Sequence, residues 1–362
     1  MSALGIDTML LLPSLKLLYP APRKEHGFLP PCFSSPKPSS SCSCSSLKAV
    51  FSVSCRKTQY FRPSSVCLVR RVRAKASEGQ SSSLEEEKEE AEEPEFQVVS
   101  AVRSNYNEIV IVDTPDSRVL LLDSTHNVHS IFRKGQKWTG SYWDEFASLP
   151  AIVPHGPIAI LGLGGGTAAH LMLELWPSLK LEGWEIDAIL IDKAREYLGL
   201  SDLEKCTEAG GVLHVHVGDA LSPLAVVPGG FAGIVVDLFS DGKVLPQLQE
   251  VETWLEMKNK LLPHGRIMVN CAGVHSDTYS NGYGITYPNL SSTGSAWAEN
   301  STIKALYKAF PGMLSWKRMA EAEGENYLAL TGPFPDLDAW SSAVPGSLSL
   351  NVKKWRPCGM LS

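Results

Sequence analysis

Between residues 158 and 330 the chain alternates short apolar runs with amphipathic stretches. Apolar runs at 158–161, 181–185, 213–217, 233–238, 266–271 and 327–330, with a further one near 313–317, predict strands. Apolar positions at helical spacing predict helices over 168–176, 188–197, 247–261 and 296–310. The strands are apolar throughout rather than at every second position, so both of their faces must be covered. The expected fold is α/β, a doubly wound, mostly parallel seven-stranded sheet of Rossmann-like form over 151–340. Ahead of it, Glu108-Ile109-Val110-Ile111-Val112 and Arg118-Val119-Leu120-Leu121-Leu122 flank Thr114-Pro115-Asp116-Ser117. Two extended runs about a Pro-Asp turn predict a hairpin, which makes 96–150 a small N-terminal β unit. Residues 341–362 are expected to form a C-terminal tail.

The first strand runs into Gly162-Leu163-Gly164-Gly165-Gly166-Thr167, after which helical spacing begins. A strand, a glycine turn and a helix start let a ligand approach the backbone closely, beside the positive end of a helix. A nucleoside-bearing cofactor is the expected guest, with Gly162, Gly164 and Gly166 lining it. Glycine turns also arise from close packing alone, so the acids further on carry the argument.

In such sheets ligands bind at the carboxyl ends of the strands. Glu185 closes the second strand in Gly183-Trp184-Glu185-Ile186-Asp187, about twenty residues after the glycines, where a carboxylate accepts both hydroxyls of a ribose. Asp219, in Gly218-Asp219-Ala220 after the third strand, can accept from an adenine amino group. Asp237 ends the fourth strand and faces the reacting centre, while Asp187 suits a helix N-cap. A dinucleotide fingerprint is met only in its looser form, from Gly164 to Ala169, and the acids at the third and fourth strand ends are no part of it.

Composition divides the chain before the folded part. Residues 1–76 hold 14 Ser, 12 Lys plus Arg and two acids, Asp7 and Glu25. That composition, with the run Val69-Arg70-Arg71-Val72-Arg73-Ala74, predicts a chloroplast transit peptide processed near Ala74. Residues 77–95 follow as an acidic, disordered linker with nine glutamates and one lysine from Glu78 to Glu95. Removing the presequence leaves 21 basic and 37 acidic residues, a balance against nucleic-acid binding and in favour of a cationic substrate. Pro13 splits the early apolar stretch, and no membrane-length run follows. Five of eight cysteines lie in the presequence, leaving Cys206, Cys271 and Cys358 without paired spacing; neither a disulfide framework nor a zinc site is expected.

Together, Gly162 to Ala169, Glu185-Ile186-Asp187, Gly218-Asp219-Ala220 and Asp237 resemble class I S-adenosylmethionine-dependent methyltransferases. Within them the chain looks most like the spermidine synthase branch, the polyamine aminopropyltransferases. Ser104-Asn105-Tyr106-Asn107-Glu108-Ile109, the strand ending in Leu122-Asp123, Leu149-Pro150 and Asn270 extend the likeness from about Ser104 to Gly332. The resemblance implies S-adenosylmethionine or decarboxylated S-adenosylmethionine as cofactor, a small acceptor such as an amine, and a homodimer or tetramer. It also places Asn127 where the family has a cofactor-binding glutamine, and Tyr142 where an acceptor is oriented.

This chain departs from the pattern at the site. The family's glycine loop carries an aspartate that pairs with the cofactor amine, and Thr167 stands there instead, offering a hydroxyl without charge. That change slightly favours methyl over aminopropyl transfer, and a non-catalytic protein that keeps the nucleoside cradle is the third reading. After the fourth strand the chain reads Asp237-Leu238-Phe239-Ser240-Asp241-Gly242, so Asp237 is the candidate base or amine anchor and Asp241 a second. The stretch Lys134-Gly135-Gln136-Lys137 adds lysines near a pocket for a cation. Tyr279 to Pro288, three tyrosines among glycines, reads as a lid or a surface loop. His214 and His216 share a strand face but lack a third ligand and read as packing residues, as do His126 and His129 beside Asn127.

Overall fold

In the computed structural model, which describes residues 96–123, 127–273, 296–319 and 326–359, the expected hairpin is the centre of a larger element. Strands β1 (Gln97–Arg103), β2 (Glu108–Asp113), β3 (Ser117–Leu121) and β4 (Ser130–Arg133) form an antiparallel sheet in chain order. Thr114 closes the β2–β3 turn, its N–H donating to Ser117 O at 2.8 Å and its hydroxyl to Asp116 Oδ1 at 2.9 Å. Residues 1–95, over which a presequence and an acidic linker are expected, His126 and the segment 279–288 lie outside the described residues.

A short helix, α1 (Tyr142–Phe146), joins this front sheet to the main one. There β5 (Ile158–Leu161) precedes α2 (Thr167–Leu175), β6 (Lys180–Glu185), α3 (Ala188–Tyr197), α4 (Leu200–Leu203), β7 (Val212–Val217) and β8 (Phe231–Val236). Every residue of β5 and β8 is buried, as coverage of both faces requires. A two-residue pair, β9 (Phe239–Ser240) and β10 (Lys243–Val244), leads to α5 (Val251–Asn259) and β11 (Leu261–Asn270). Then come α6 (Ser301–Ala309), β12 (Leu314–Arg318), β13 (Tyr327–Thr331), α7 (Leu337–Ala343), α8 (Leu348–Val352) and β14 (Arg356–Pro357).

The sheet order is β14-β12-β13-β11-β8-β5-β6-β7, with β7, β6, β5, β8 and β11 parallel and β13 antiparallel to β11. The fold is therefore the expected doubly wound one, with eight strands instead of seven. From β5 the chain winds outward first through β6 and β7, then on the other side through β8 and β11. The carboxyl ends of β5 and β8 thus flank the switch point where such sheets bind ligands.

Two expected helices break at a residue in extended conformation. Residues 247–261 become a 3₁₀ turn and α5, separated at Glu250, while 296–310 become a 3₁₀ turn and α6, capped by Asn300 accepting from Ile303 N–H at 3.0 Å. The expected tail is part of the core. Leu348, Val352 and Trp355 are buried in the same cluster as Trp143 and Phe146, and Trp340 donates Nε1–H to Ser148 O at 2.9 Å. Burying those apolar side chains stabilises the segment in place, on the order of 2 kcal/mol each.

One charged contact crosses this core. Glu145 of α1, 0% exposed, meets Lys317 Nζ of β12, 2% exposed, at 2.6 Å, and Lys317 also donates to Asn351 O at 3.1 Å. No helix among the described residues is long and apolar enough to cross a membrane.

Candidate active site

β5 stops at Leu161, and the chain turns through Gly162, Gly164 and Gly166, whose φ values of +87°, +54° and +87° favour glycine. A Cβ on Gly162 would lie 2.2 Å from Asp237 O, so the missing side chain is what lets the ends of β5 and β8 meet. The turn's amides are engaged internally. Gly162 and Leu163 donate to Trp184 O at 3.1 and 2.9 Å, Gly164 to Glu185 Oε2 at 3.0 Å, Gly165 to Ser130 Oγ at 2.8 Å and Gly166 to Leu163 O at 3.0 Å. A pyrophosphate is held by such amides when they point outward. Here they do not, and the turn suits a nucleoside without phosphates better than a dinucleotide.

Thr167 turns its hydroxyl to the front sheet. Its hydroxyl accepts from Ile131 N–H at 2.8 Å and donates to Ile131 O at 3.1 Å, clipping the first turn of α2 to β4. It is 4% exposed, and both hydrogen-bonding directions of its hydroxyl serve the joint between the two sheets.

Glu185 stands at the end of β6 with Oε2 on Gly164 N–H and Oε1 on Asp187 N–H at 3.2 Å. Burial raises its pKa above the usual carboxylate range, against those amide bonds, which lower it. Each oxygen keeps acceptor capacity for a hydroxyl. Asp187 is the N-cap of α3, accepting from Ile189 and Leu190 N–H at 3.1 and 3.2 Å, and its other oxygen accepts from Ser104 Oγ and from Asn107 Nδ2, the latter at 2.8 Å. Ser104 and Asn107 therefore fasten the front sheet to the acid-bearing strand end. Asp219 is exposed after β7, with Oδ1 accepting from Leu221 N–H at 2.8 Å in its own turn.

Asp237 gathers the most partners. Tyr142 Oη donates to Oδ2 at 3.1 Å, Trp143 Nε1 to the same oxygen at 3.3 Å, and Asn270 Nδ2 to Oδ1 at 3.0 Å. Burial, opposed by these three donors, raises its pKa to about 6. Burial and the adjacent Asp237 charge drive the Tyr142 phenol well above its ordinary value, so it stays protonated. The structure thus brings Tyr142 and Asp237 together and adds Trp143. An indole among apolar positions of a short helix reads as packing, and its sequence carries no signal of the N–H contact.

Other expected residues lie apart. Asp241 is exposed, with φ +50°, and with Gly242 at +70° it forms the two-residue loop of the β9–β10 hairpin. Asp-Gly is the preferred dipeptide for that turn. No hydrogen bond joins Asp241 to Asp237 among the described residues, and Asp241 stands in this turn, apart from the Asp237 cluster. Asn127 stands exposed on the connection into β4. Lys134 pairs with Asp113 at 2.6 Å and Lys137 with Glu174 at 3.0 Å, so the added lysines serve β2 and α2 rather than the Asp237 cluster. His129 accepts from Leu122 N–H at Nδ1, 3.3 Å, and meets Asp123 with Nε2 at 3.2 Å. His214 and His216 both bond Glu182, at 2.9 and 2.6 Å, from the neighbouring strand. A cavity of about 300 Å³ between β4 and α2, walled by Thr167, His170 and Lys137, has neither Glu185 nor Asp237 in its lining.

The chain is similar to a polyamine aminopropyltransferase. A probable polyamine aminopropyl transferase of Bifidobacterium longum is 27% identical over 204 residues, which cover 56% of this chain and 43% of the relative. The chain thus spans less than half the length of that curated relative. No family model matches. A probable spermidine synthase of Corynebacterium glutamicum superposes with a TM-score of 0.49 at 15% identity, over 68% of this chain and 85% of that one. Spermidine synthase of Thermotoga maritima gives 0.46 at 15%, over 68% and 76%.

Proposed function

We propose that this protein transfers an alkyl group from a sulfonium nucleoside, S-adenosylmethionine or its decarboxylated form, to a small amine acceptor within plastids. The observation that carries the reading is Asp237, a desolvated carboxylate with a pKa of about 6 at the switch point of the sheet, beside a glycine turn that offers no phosphate cradle. Plastid location rests on the serine-rich, basic and acid-poor first 76 residues.

The sulfonium supplies an already activated carbon, so positioning does much of the work. Glu185 accepts from the ribose hydroxyls. Asp237, ionised at neutral pH, takes a proton from the acceptor nitrogen, whose lone pair forms the new bond to carbon while the carbon–sulfur pair leaves with sulfur as a neutral thioether. Tyr142 holds Asp237 in place for that step. Methyl as the transferred group is favoured by the turn itself, which from Gly162 to Gly166 carries no carboxylate for a cofactor amine. Aminopropyl as the transferred group is favoured by the likeness to the Bifidobacterium protein and by Lys134 and Lys137, whose pairing elsewhere leaves the cluster open to a cation.

Calorimetry on the full chain with S-adenosylmethionine, its decarboxylated analogue and NAD tests the reading. Binding of a sulfonium compound, weakened at least tenfold by Glu185→Ala, is the expected result. Preference for the analogue selects aminopropyl transfer; binding of NAD alone, or of none of the three, overturns the proposal.

A further inference from the structure

The three donors on Asp237 are not equivalent. Asn270 has its amide orientation set by the backbone, because its Oδ1 accepts from Ala272 N–H at 3.1 Å and Nδ2 must then face Asp237. Tyr142 carries a hydroxyl that can reverse and accept if the carboxyl is protonated. Trp143 cannot reverse, since an indole N–H only donates. Its ring is 6% exposed and packs 4.7 Å from the Tyr142 ring, which fixes the direction in which the N–H points. Oδ2 receives both α1 donors and Oδ1 receives one, so Oδ1 has more room for a further proton.

We propose that Trp143 is a positioning residue that anchors Oδ2 of Asp237, keeps the carboxylate ionised, and leaves Oδ1 to accept the proton from the acceptor nitrogen. This rests on the transferase reading for its last clause only. The groups facing Asp237 are Tyr142 and Trp143 from α1, Asn270 from β11 and the backbone of the glycine turn. Tyr142 is the titratable one among them, and it stays protonated, so no neighbouring charge change accompanies the ionisation of Asp237.

Two measurements test the inference. In the pH profile of kcat/KM, Trp143→Phe should move the acidic limb upward by about one unit, which is a tenfold loss on that limb with full recovery at high pH. Trp143→Gln, which keeps a donor, should restore part of the shift. An unmoved limb in Trp143→Phe overturns the proposal. The second measurement needs no turnover and no substitution at Trp143. The Trp143 indole N–H resonance of the full chain should titrate with a midpoint near 6 and cease to do so in Asp237→Asn. A resonance indifferent to pH across that range overturns it, even if Trp143→Phe fails to fold. Absence of any transfer by the unmodified protein would instead sink the transferase reading and leave the resonance to decide the role of Trp143.

Discussion

Tyr142 and Asp237, 95 residues apart in the chain, meet at 3.1 Å through a hydroxyl and a carboxylate oxygen, joining the helix after the front sheet to the end of β8. The two sheets therefore complete one site rather than standing side by side. Because Asp237 is desolvated, its ionisation also enters the stability of the fold.

With a folded pKa near 6 against an ordinary 3.8, the native state holds a proton that the unfolded chain has already released between those values. Stability from this group is present below pH 3.8 and is lost as pH rises through 6. Unfolding free energies of the unmodified protein and Asp237→Asn, measured from about pH 4 to pH 7.5, should move apart in the variant's favour by on the order of 2 kcal/mol. A constant difference would show that Asp237 is not desolvated.

Gly162 permits the approach of Asp237 O, and its φ of +87° strains any other residue. Gly162→Ala is expected to cost more than about 3 kcal/mol in chemical denaturation, because backbone on both sides must shift. Gly210 gives the control, since it also has a positive φ but no heavy atom within 4 Å of the place a Cβ would take. Gly210→Ala therefore costs strain alone, about 1 kcal/mol.

Thr167→Val should remove the clip to Ile131 and leave its N–H and C=O without that partner, lowering stability by roughly 1–2 kcal/mol. Affinity for the sulfonium nucleoside should stay within about twofold by calorimetry. A tenfold loss would return Thr167 to the cofactor site.

Lys317→Met removes the ammonium partner of Glu145 inside the core, with an expected cost of about 3–5 kcal/mol in denaturant melts. The double variant Lys317→Met with Glu145→Leu should recover most of it, since apolar replacement of a buried pair is often neutral. If the double variant is as unstable as the single one, the pair is needed for more than its charge balance.

The parallel strands are legible in the sequence because runs such as Ile158–Leu161 are apolar on both faces, and the acids at their ends stand out against them. Glu185 and Asp237 announce themselves that way. The front sheet is half legible: β1 is largely exposed, and β4 opens on Ser130, whose role is to receive the Gly165 amide. Asp241 carries two signals at once, an acid near a strand end and, with Gly242, the dipeptide of a tight turn, and the fold displays the second. Trp143 escapes notice for the opposite reason: its chemistry is a single N–H on a ring that periodicity assigns to packing. The segment after 340 looks like a tail because its apolar residues are separated by Ser, Pro and Gly, and only packing against α1 shows them as core.

The ion pair from Lys317 and the Trp340 bond to Ser148 mean that α1, which carries Tyr142 and Trp143, and the turn after it are braced by residues synthesised some 170 to 190 positions later. On the ribosome, or while threading through a membrane pore, the chain would pass α1 long before its supports arrive. A product cut short before Lys317 would carry Glu185 and Asp237 but lack the ion pair to Glu145 and the Trp340 bond to Ser148. The placing of Tyr142 and Trp143 against Asp237 thus depends on chain that follows Asp237 by some 80 to 100 residues.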